Sequence, residues 1–330
     1  MQNYGTERKQ YILEEESRTG FGESHAKVIL IGEHSVVYGR PAIAIPLKTI
    51  KTTVTVTPRE DGGLFITSER FTGSLNEAPA DMDGIRELVL AVIQKQGYQS
   101  GMDITVRSMV PVARGMGSSA CVAVALTRAL AGFFSLHLTG RELLETANIE
   151  EKATHRNPSG LDAATCAADN PVWMADRKTK DIPIRLNGCL LICDTGIKGQ
   201  TSEAIAAVKE RLKRFPQETN AQFDTLEKLT VAAGEQLAGN ELEGLAETFR
   251  QAQHTLKNLG VSCRELDEYI GIAEANGALA AKLTGGGRGG CFICLTEDAG
   301  KAAALSEKLK EAGVSQTWIE PLSSKGGRKS

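Results

Sequence analysis

The chain has 330 residues, with 34 glycines, 10 prolines and a formal net charge of −3. This length is enough for two domains of roughly 150 residues each. High glycine with low proline excludes a collagen-like chain or a proline-rich linker, and the near-neutral charge gives no bulk electrostatic reason to expect a nucleic-acid or membrane partner.

The two ends of the chain are polar. Residues 1–22 lack the apolar stretch of a signal peptide, and no apolar run of about 18 residues occurs in the chain. Both an N-terminal extension, residues 1–22, and a C-terminal tail, residues 323–330, are predicted to be frayed. The protein is predicted to be soluble and cytoplasmic.

The first predicted element is an apolar strand over residues 26–31 that runs into a Gly-Glu-His turn. Lys27 is unusual there, because a strand buried on both faces disfavours charge. Its ammonium either snorkels to solvent or points into a site, and we favour the site. His34, at the end of the turn, is either a polar turn residue or a substrate contact.

The next part of the chain mixes short strands with helices. Residues 51–57, 64–67 and 102–106 are rich in β-formers or alternate in polarity, which predicts antiparallel strands with one solvated face. Residues 83–96 and 141–154 are predicted helices.

A glycine-rich turn, residues 111–120, follows the third of these strands and precedes an apolar helical run. Gly115 and Gly117 allow a tight turn, and Ser118 or Ser119 stands at the helix start as a cap or a ligand. The free amides and the dipole of a helix start favour an anion, so the segment is either a phosphate cradle or a capped helix. Neither the Walker A spacing nor the dinucleotide-binding glycine spacing is present here.

Two carboxylates flank a second turn. Glu151 ends a predicted helix and Asp162 begins a new segment, with Pro158 breaking any helix between them. Such a pair can converge as a magnesium ligand and a base, although surface solvation is the usual role of acids such as Glu150 and Glu151.

The second half contains two continuous apolar runs, residues 189–193 and 291–295, that are predicted buried strands. Between them, apolar residues at helical spacing over 242–259 indicate core packing rather than a cofactor site. A polar break near residues 177–188 predicts a domain boundary, and the clustering of strands and helices favours an α+β fold.

A second glycine-rich turn, residues 282–290, carries five glycines in six positions between two strands. A hairpin needs only one or two, so something is expected to pass very close to this backbone. The spacing of Gly285, Gly287 and Gly290 matches a dinucleotide-binding pattern, but that pattern requires a following helix and the next segment is strand-like.

The seven cysteines are an odd number spread over a long chain, which argues against a disulfide framework. Cys291 and Cys294 have a C-x-x-C spacing that no second pair repeats. A zinc or redox site is the alternative, and buried free thiols are the prediction.

Taken in order across residues 24–295, these segments resemble the three signatures of the GHMP kinase superfamily. The run from Lys27 through Gly32-Glu33-His34 to Gly39 is similar to the first motif of the mevalonate kinase branch of this superfamily. The Asn-Pro-Ser-Gly-Leu-Asp run ending at Asp162 resembles the catalytic turn of the same branch. Together the two runs are most similar to the bacterial members of that branch. Two residues depart from the pattern: Met116 replaces the commoner leucine, and Gly286 stands where many members carry alanine.

The resemblance implies a two-domain α+β architecture. Residues 23–185 would form an N-terminal domain like ribosomal protein S5 domain 2, and residues 186–322 a ferredoxin-like C-terminal domain, with the active site between them.

It also implies roles for individual residues. The catalytic pair would be Asp162, near the substrate hydroxyl, and the cationic Lys27. The remaining implied site residues are, for ATP, Arg114, Gly115, Met116, Gly117, Ser118 and Ser119; for support of the phosphate loop, Gly285, Gly286 and Gly287; for substrate, Glu33, His34 and Thr201; and for Mg²⁺, Ser119 and Glu151.

The implied reaction is ATP-dependent phosphorylation of the 5-hydroxyl of (R)-mevalonate, in isoprenoid precursor synthesis. ATP would be the phosphoryl donor and Mg²⁺ the metal, with no nucleic-acid or membrane partner, in a monomer or homodimer. The alternatives are another kinase of the superfamily, acting on phosphomevalonate or homoserine, and a non-catalytic nucleotide-dependent sensor.

Overall fold

The computed structural model describes residues 18–112, 114–154 and 160–322. The chain forms two compact units, each assembled from separate segments. The first consists of residues up to Ala26, Lys51–Val110 and Ser119–Ala167, and the second of Lys27–Ile50, Pro111–Ser118 and the chain from Ala168 onward. Both units mix helices and strands, which confirms the predicted α+β class.

The division between the units falls within two long strands, β1 (Gly20–Ile31) and β2 (Ala42–Arg59). Because both strands continue from one unit into the other, the units interleave along the chain, and a single domain boundary after residue 185 stays a prediction. Residues 20–22, assigned above to the N-terminal extension, are the start of β1. Residues 18 and 19 precede β1 without regular secondary structure, and the remainder of the predicted frayed ends, residues 1–17 and 323–330, lies outside the described residues.

The first unit contains a sheet in the order β4-β3-β5-β2. Its further strands are β3 (Leu64–Thr67), β4 (Thr72–Ser74) and β5 (Gly101–Ser108). Strands β2 and β5 are antiparallel, as predicted, but β3 and β5 are parallel, so the prediction for that pair was wrong. The cause is the helix α1 (Asp83–Gln96), which lies in the connection to β5 and provides the crossover that a parallel pair requires.

Three further helices complete this unit: α2 (Ser118–Phe133), α3 (Gly140–Thr154) and α4 (Leu161–Ala167). Helices α1 and α3 match the predicted helices. They meet closely at Gly84, where a Cβ atom would lie 2.7 Å from the carbonyl oxygen of Glu150.

Helix α2 is the buried centre of the first unit. A Cβ atom at Gly20 or Gly22 of β1 would collide with the α2 backbone, so these glycines permit the strand to pack on the helix. The Arg128 guanidinium donates to the carbonyl oxygens of Glu23 at 2.6 Å and of Ala167 at 3.0 Å. One side chain therefore ties β1, α2 and the C-terminal end of α4 together.

The second unit is built on an antiparallel sheet in the order β11-β8-β10-β9. These strands are β8 (Cys189–Asp194), β9 (Ala280–Leu283), β10 (Cys291–Thr296) and β11 (Gln316–Pro321). Every residue of β8, β9 and β10 is buried, which confirms the two predicted buried strands and explains their continuous apolar sequences. Two shorter strands, β6 (Val172–Ala175) and β7 (Lys178–Asp181), follow one another, and β6 pairs with the beginning of β2.

Five helices belong to this unit among the described residues. They are α5 (Thr201–Arg214), α6 (Pro216–Gly239), α7 (Leu242–Asn258), α8 (Arg264–Ala275) and α9 (Ala299–Glu311). The predicted stripe on α7 is core: Leu245, Phe249, Ala252 and Leu256 are fully buried. Short 3₁₀ helices occur at Ser35–Tyr38 in this unit, and at Leu75–Glu77 and Ala80–Met82 in the first unit.

All seven cysteines are free thiols. Six are buried, as predicted, and Cys263 is partly exposed. Burial raises the pKa of the Cys291 thiol to about 12, which keeps it protonated and unreactive at neutral pH. In the described parts of the chain, no helix has the length and apolar character needed to cross a membrane.

Candidate active site

Lys27 is held against the first glycine-rich turn. Its backbone amide donates to the carbonyl oxygen of Met116, and its Nζ donates to the carbonyl oxygen of Gly115, both at 3.1 Å. The residue is only 3% exposed, so the ammonium does not snorkel to solvent. The structure thus joins the lysine of the first motif to the turn that the family resemblance implies for ATP binding.

This turn, residues 114–119, is called the phosphate loop below. Gly115 and Gly117 have φ of 77° and 72°, in the left-handed region that glycine adopts without strain. The Met116 side chain is buried and anchors the loop, whereas Gly115 and Ser119 are exposed and Ser118 is partly exposed. Helix α2 begins at Ser118, so its first amides lie where an anion would be stabilised.

Arg114, predicted to bind ATP, forms an ion pair with Asp194. Its Nε lies 2.9 Å from one carboxylate oxygen of Asp194, and the other accepts a hydrogen bond from the Gly196 amide at 2.9 Å. The guanidinium therefore anchors the start of the phosphate loop to the end of β8. Sequence reasoning missed Asp194; an acid that ends an apolar strand was the available signal.

His34 is the central residue of a strained turn. Its φ is 61° and its ψ −45°, and the Ser35 amide donates to the Glu33 carbonyl oxygen at 2.6 Å, which closes a γ-turn of the rare positive-φ type. The imidazole Nε2–H donates to the carbonyl oxygen of Gly286 at 3.0 Å. Burial lowers the pKa of His34, the hydrogen bond to Gly286 opposes this, and the charge of Arg288 lowers it further, so the ring is neutral at pH 7.

Glu33, predicted to contact substrate, is fully buried and paired with Lys282 of β9. Lys282 Nζ donates to Glu33 Oε1 and, at 2.7 Å, to the carbonyl oxygen of Leu283, and it lies 5.8 Å from the centre of the Phe249 ring. Burial raises the pKa of Glu33 and lowers that of Lys282, while each partner's charge opposes the shift of the other. Sequence reasoning missed Lys282, although a charge in a small-residue strand is the same signal that drew attention to Lys27.

Residues 284–290 of the second glycine-rich turn, which follow the end of β9, are called the glycine loop below. Gly285 and Gly287 have φ of 76° and 75°. A Cβ atom at Gly286 would collide with the side chain of Thr201, and one at Gly287 with the carbonyl oxygen of Val261. The close approach that the sequence predicted is therefore made, at these two positions, by the protein itself.

Thr201, beside the glycine loop, and Arg288, within it, are both held by contacts with the protein. Thr201 is the first residue of α5 and packs over Gly286. Arg288, at a φ of 53°, donates to the carbonyl oxygen of Gly260 at 3.2 and 3.3 Å through its guanidinium, and its Nη1 lies 3.9 Å from Glu203. Its guanidinium is thus committed in part to the protein rather than simply solvated.

The three other predicted site residues belong to the first unit. Ser119 is exposed on the first turn of α2, Glu151 is partly exposed near the end of α3, and Asp162 is partly exposed in the first turn of α4. Pro158, predicted to break the helix, lies outside the described residues. Serine and carboxylate oxygens are the ligand types that Mg²⁺ takes, with water and phosphate completing its shell, so the donor chemistry of Ser119 and Glu151 fits the metal.

The chain matches two family models in the expected order. The model described as GHMP kinases N terminal domain covers residues 85–170, and that described as GHMP kinases C terminal covers residues 233–315. The chain belongs to the GHMP kinase family, and its fold is the two-domain fold of these enzymes.

Several relatives within this family carry the name mevalonate kinase. A protein from Methanothermobacter thermautotrophicus named mevalonate kinase is 33% identical over 81% of this chain and 87% of its own length. One from Pyrococcus horikoshii with the same name is 29% identical over 87% of this chain and 91% of its own length. The crystal structure of mevalonate kinase from methicillin-resistant Staphylococcus aureus is 32% identical, with a TM-score of 0.73, and the match covers 93% of this chain and all of that one.

The packing of Thr201 over Gly286 predicts that Gly286→Ala will destabilise the protein. The added methyl group collides with the first residue of α5, so the helix start or the glycine loop must move. A loss of about 1–3 kcal/mol in the free energy of unfolding is expected, measured by urea denaturation. Gly271→Ala is the matched control, because Gly271 is exposed within α8 with open space around its Cβ position, and it is expected to gain about 0.5–1 kcal/mol. Equal stability of Gly286→Ala and the parent protein would contradict the packing.

The buried, neutral state of His34 predicts a pH dependence of stability. Below its ordinary pKa of 6.5 the unfolded chain binds a proton that the folded chain binds more weakly, so the free energy of unfolding falls as the pH falls. His34→Gln should make that fall shallower between about pH 7.5 and 5.5, measured by urea denaturation at each pH. His254→Gln, on the exposed His254, is the control and should keep the parent slope. A parent-like slope in His34→Gln would show that His34 titrates as it does in the unfolded chain.

Proposed function

We propose that this protein transfers the γ-phosphoryl group of ATP to the 5-hydroxyl of (R)-mevalonate, giving 5-phosphomevalonate and ADP. The observation that carries the proposal is that relatives named mevalonate kinase match most of the chain, at 29–33% identity over 81–93% of its length. The contacts around these motifs are consistent with phosphoryl transfer, which depends mainly on positioning and on neutralising charge.

The phosphate loop would receive the nucleotide phosphates. Its two positive-φ glycines and the start of α2 present backbone amides without bulky side chains, and the helix dipole favours an anion there. Lys27, hydrogen-bonded to the carbonyl oxygen of Gly115, brings an ammonium to the same loop, where it would stabilise charge that develops on the transferred group.

Ser119 and Glu151 would hold Mg²⁺. When bound, Mg²⁺ would supply positive charge against the β- and γ-phosphates of ATP. Ser119 is exposed on the first turn of α2 and offers its hydroxyl oxygen, and Glu151 offers a carboxylate, which are the hard oxygen donors that this ion takes. Two protein ligands are enough, since Mg²⁺ commonly keeps waters and substrate oxygens as the others.

Asp162 would accept or orient the proton of the substrate hydroxyl. It lies in the first turn of α4, whose other end is held by Arg128 and by a 2.9 Å hydrogen bond from the Ser24 hydroxyl to the carbonyl oxygen of Cys166. A helix tied down at its C-terminal end gives the carboxylate a defined place. His34 and Thr201, beside the glycine loop, would contact the substrate, and Gly285–Gly287 would support the site.

The substrate assignment is tested by measuring ADP release with a coupled assay over a panel of alcohols. We expect the highest kcat/KM with (R)-mevalonate, with much weaker turnover of 5-phosphomevalonate, homoserine and galactose. A higher kcat/KM for another member of the panel would assign the chain to that branch of the family. Nucleotide binding without ADP release for any member would instead favour the sensor alternative.

The role of Asp162 predicts that Asp162→Asn will retain its fold and its nucleotide binding while kcat falls by about 10²–10⁴-fold. Asparagine keeps the volume and can still orient a hydroxyl, but it cannot accept the proton. Steady-state kinetics measure kcat, and the shift of Tm on adding ATP measures binding. Asp103→Asn is the control, since Asp103 forms an ion pair with Arg59 on the surface of the first unit and should leave kcat unchanged. Near-normal turnover of Asp162→Asn would exclude this role.

A further inference from the structure

The buried ion pair of Glu33 and Lys282 lies next to two hydrogen bonds that join the first motif to the glycine loop. Thr284 donates its hydroxyl to the carbonyl oxygen of Ile29 at 2.7 Å, and His34 donates its imidazole N–H to the carbonyl oxygen of Gly286 at 3.0 Å. Glu33 immediately precedes His34, and Lys282 precedes Thr284 by two residues. The ion pair and these two hydrogen bonds therefore fasten the same two segments at three successive points.

The burial of this ion pair carries an unfavourable free energy of desolvation. Both side chains are fully buried, and one carboxylate oxygen of Glu33, Oε2, has no hydrogen-bond partner among the described residues. Removing two charges from water is strongly unfavourable, and apolar replacements of similar volume are often as stable or more stable. Stability alone does not explain the pair. What an ion pair adds over apolar packing is one defined geometry, because its hydrogen bonds have fixed directions.

The geometry that needs fixing is the γ-turn at His34. A non-glycine residue at positive φ is strained and persists only where its surroundings hold it. Glu33 supplies the carbonyl that closes this turn, and its side chain is the one bound by Lys282. Holding Glu33 therefore holds the turn, and with it the direction of the His34 imidazole toward Gly286.

We infer that Lys282 and Glu33 form a positioning clamp: Lys282 acts through Glu33 to hold His34 and the glycine loop in their working geometry, and Glu33 itself is not a substrate ligand. The inference rests on the proposed function for its kinetic consequence. Lys282 fixes the glycine loop from β9 by its hydrogen bond to the carbonyl oxygen of Leu283, so one ammonium joins both segments. The reaction's chemistry stays with the residues assigned above.

The test uses Glu33→Gln, Lys282→Met and the double variant in the full chain. The double variant removes both buried charges at nearly constant volume, so it should fold with a Tm near the parent value. Its kcat for mevalonate should nevertheless fall between about tenfold and a hundredfold, because a small misplacement of positioning groups is enough for such a loss. Since the two residues act as one unit, the double variant should lose no more than the worse single variant.

A second readout does not depend on activity. Hydrogen–deuterium exchange of the amides in residues 32–39 and 284–290, measured on the unliganded protein, should be at least about tenfold faster in the double variant. Glu320→Gln is the matched control: Glu320 is another buried carboxylate of the second unit, hydrogen-bonded by Thr49. That variant should lose stability but keep the parent kcat and the parent exchange in both segments.

The outcomes separate the clamp from the proposed function. A folded double variant with the kcat and the exchange rates of the parent protein overturns the clamp. The clamp is also overturned if Glu33→Gln raises the KM for mevalonate and the effects of Glu33→Gln and Lys282→Met on activity are additive in the double variant. If the double variant does not fold, parent exchange of residues 284–290 in folded Glu33→Gln overturns it. If the parent protein does not phosphorylate mevalonate, the proposed function fails, and the exchange measurements alone decide on the clamp.

Discussion

The candidate site depends on backbone that passes repeatedly through the left-handed region. Gly115 and Gly117 do so in the phosphate loop, and Gly285, Gly287, Gly289 and Gly290 in the glycine loop. Side chains at these positions would strain the turns, so glycine is required by conformation even where no neighbour is close, as at Gly115 and Gly285. The high glycine content of the chain is thus concentrated where the backbone must turn sharply, rather than spread as general flexibility.

Two residues in and beside the glycine loop adopt a positive φ although they are not glycine. His34 and Arg288 both adopt positive φ, and each is held by hydrogen bonds: His34 through the Glu33 carbonyl and Gly286, Arg288 through Val261 and Gly260. A strained conformation that the surroundings maintain at a functional site indicates that the side chain's direction matters there. The buried Lys282 explains how the first of these strained residues is maintained.

The parts of the structure that sequence predicted well have strong local signals. The bounds of α1 follow from the helical pattern of residues 83–96, and those of β3 from the short run of β-forming residues 64–67. The buried strands β8 and β10 follow from continuous apolar runs. The parallel pairing of β3 with β5 was missed because local alternation does not report the direction of a neighbouring strand. That direction is set by the crossover through α1, which is a property of the whole connection.

Within the site, sequence identified residue types but not their partners. Lys27 was singled out by its place in an apolar strand, and its hydrogen bond to Gly115 explains that place. Arg114 and Glu33 were given roles toward ATP and substrate, yet each forms an ion pair with a residue far away in the chain, Asp194 and Lys282. Pairings over such separations arise only from the tertiary fold, so a motif cannot distinguish a ligand-binding charge from one that holds the motif in shape.

Gly286 is a further position at which the residue type is tied to a distant part of the chain. The space that a side-chain methyl group would take there is filled by Thr201, which stands 85 positions earlier and begins α5. The glycine at position 286 and the threonine at position 201 therefore depend on each other. Since α5 has no side-chain cap at its N-terminus, its first residue is located by packing against the glycine loop rather than by a local capping bond. The glycine loop, which is proposed to support the phosphate loop, therefore also determines where α5 begins. Because Thr201 is the first residue of α5, its proposed contact with substrate depends on the conformation of the glycines.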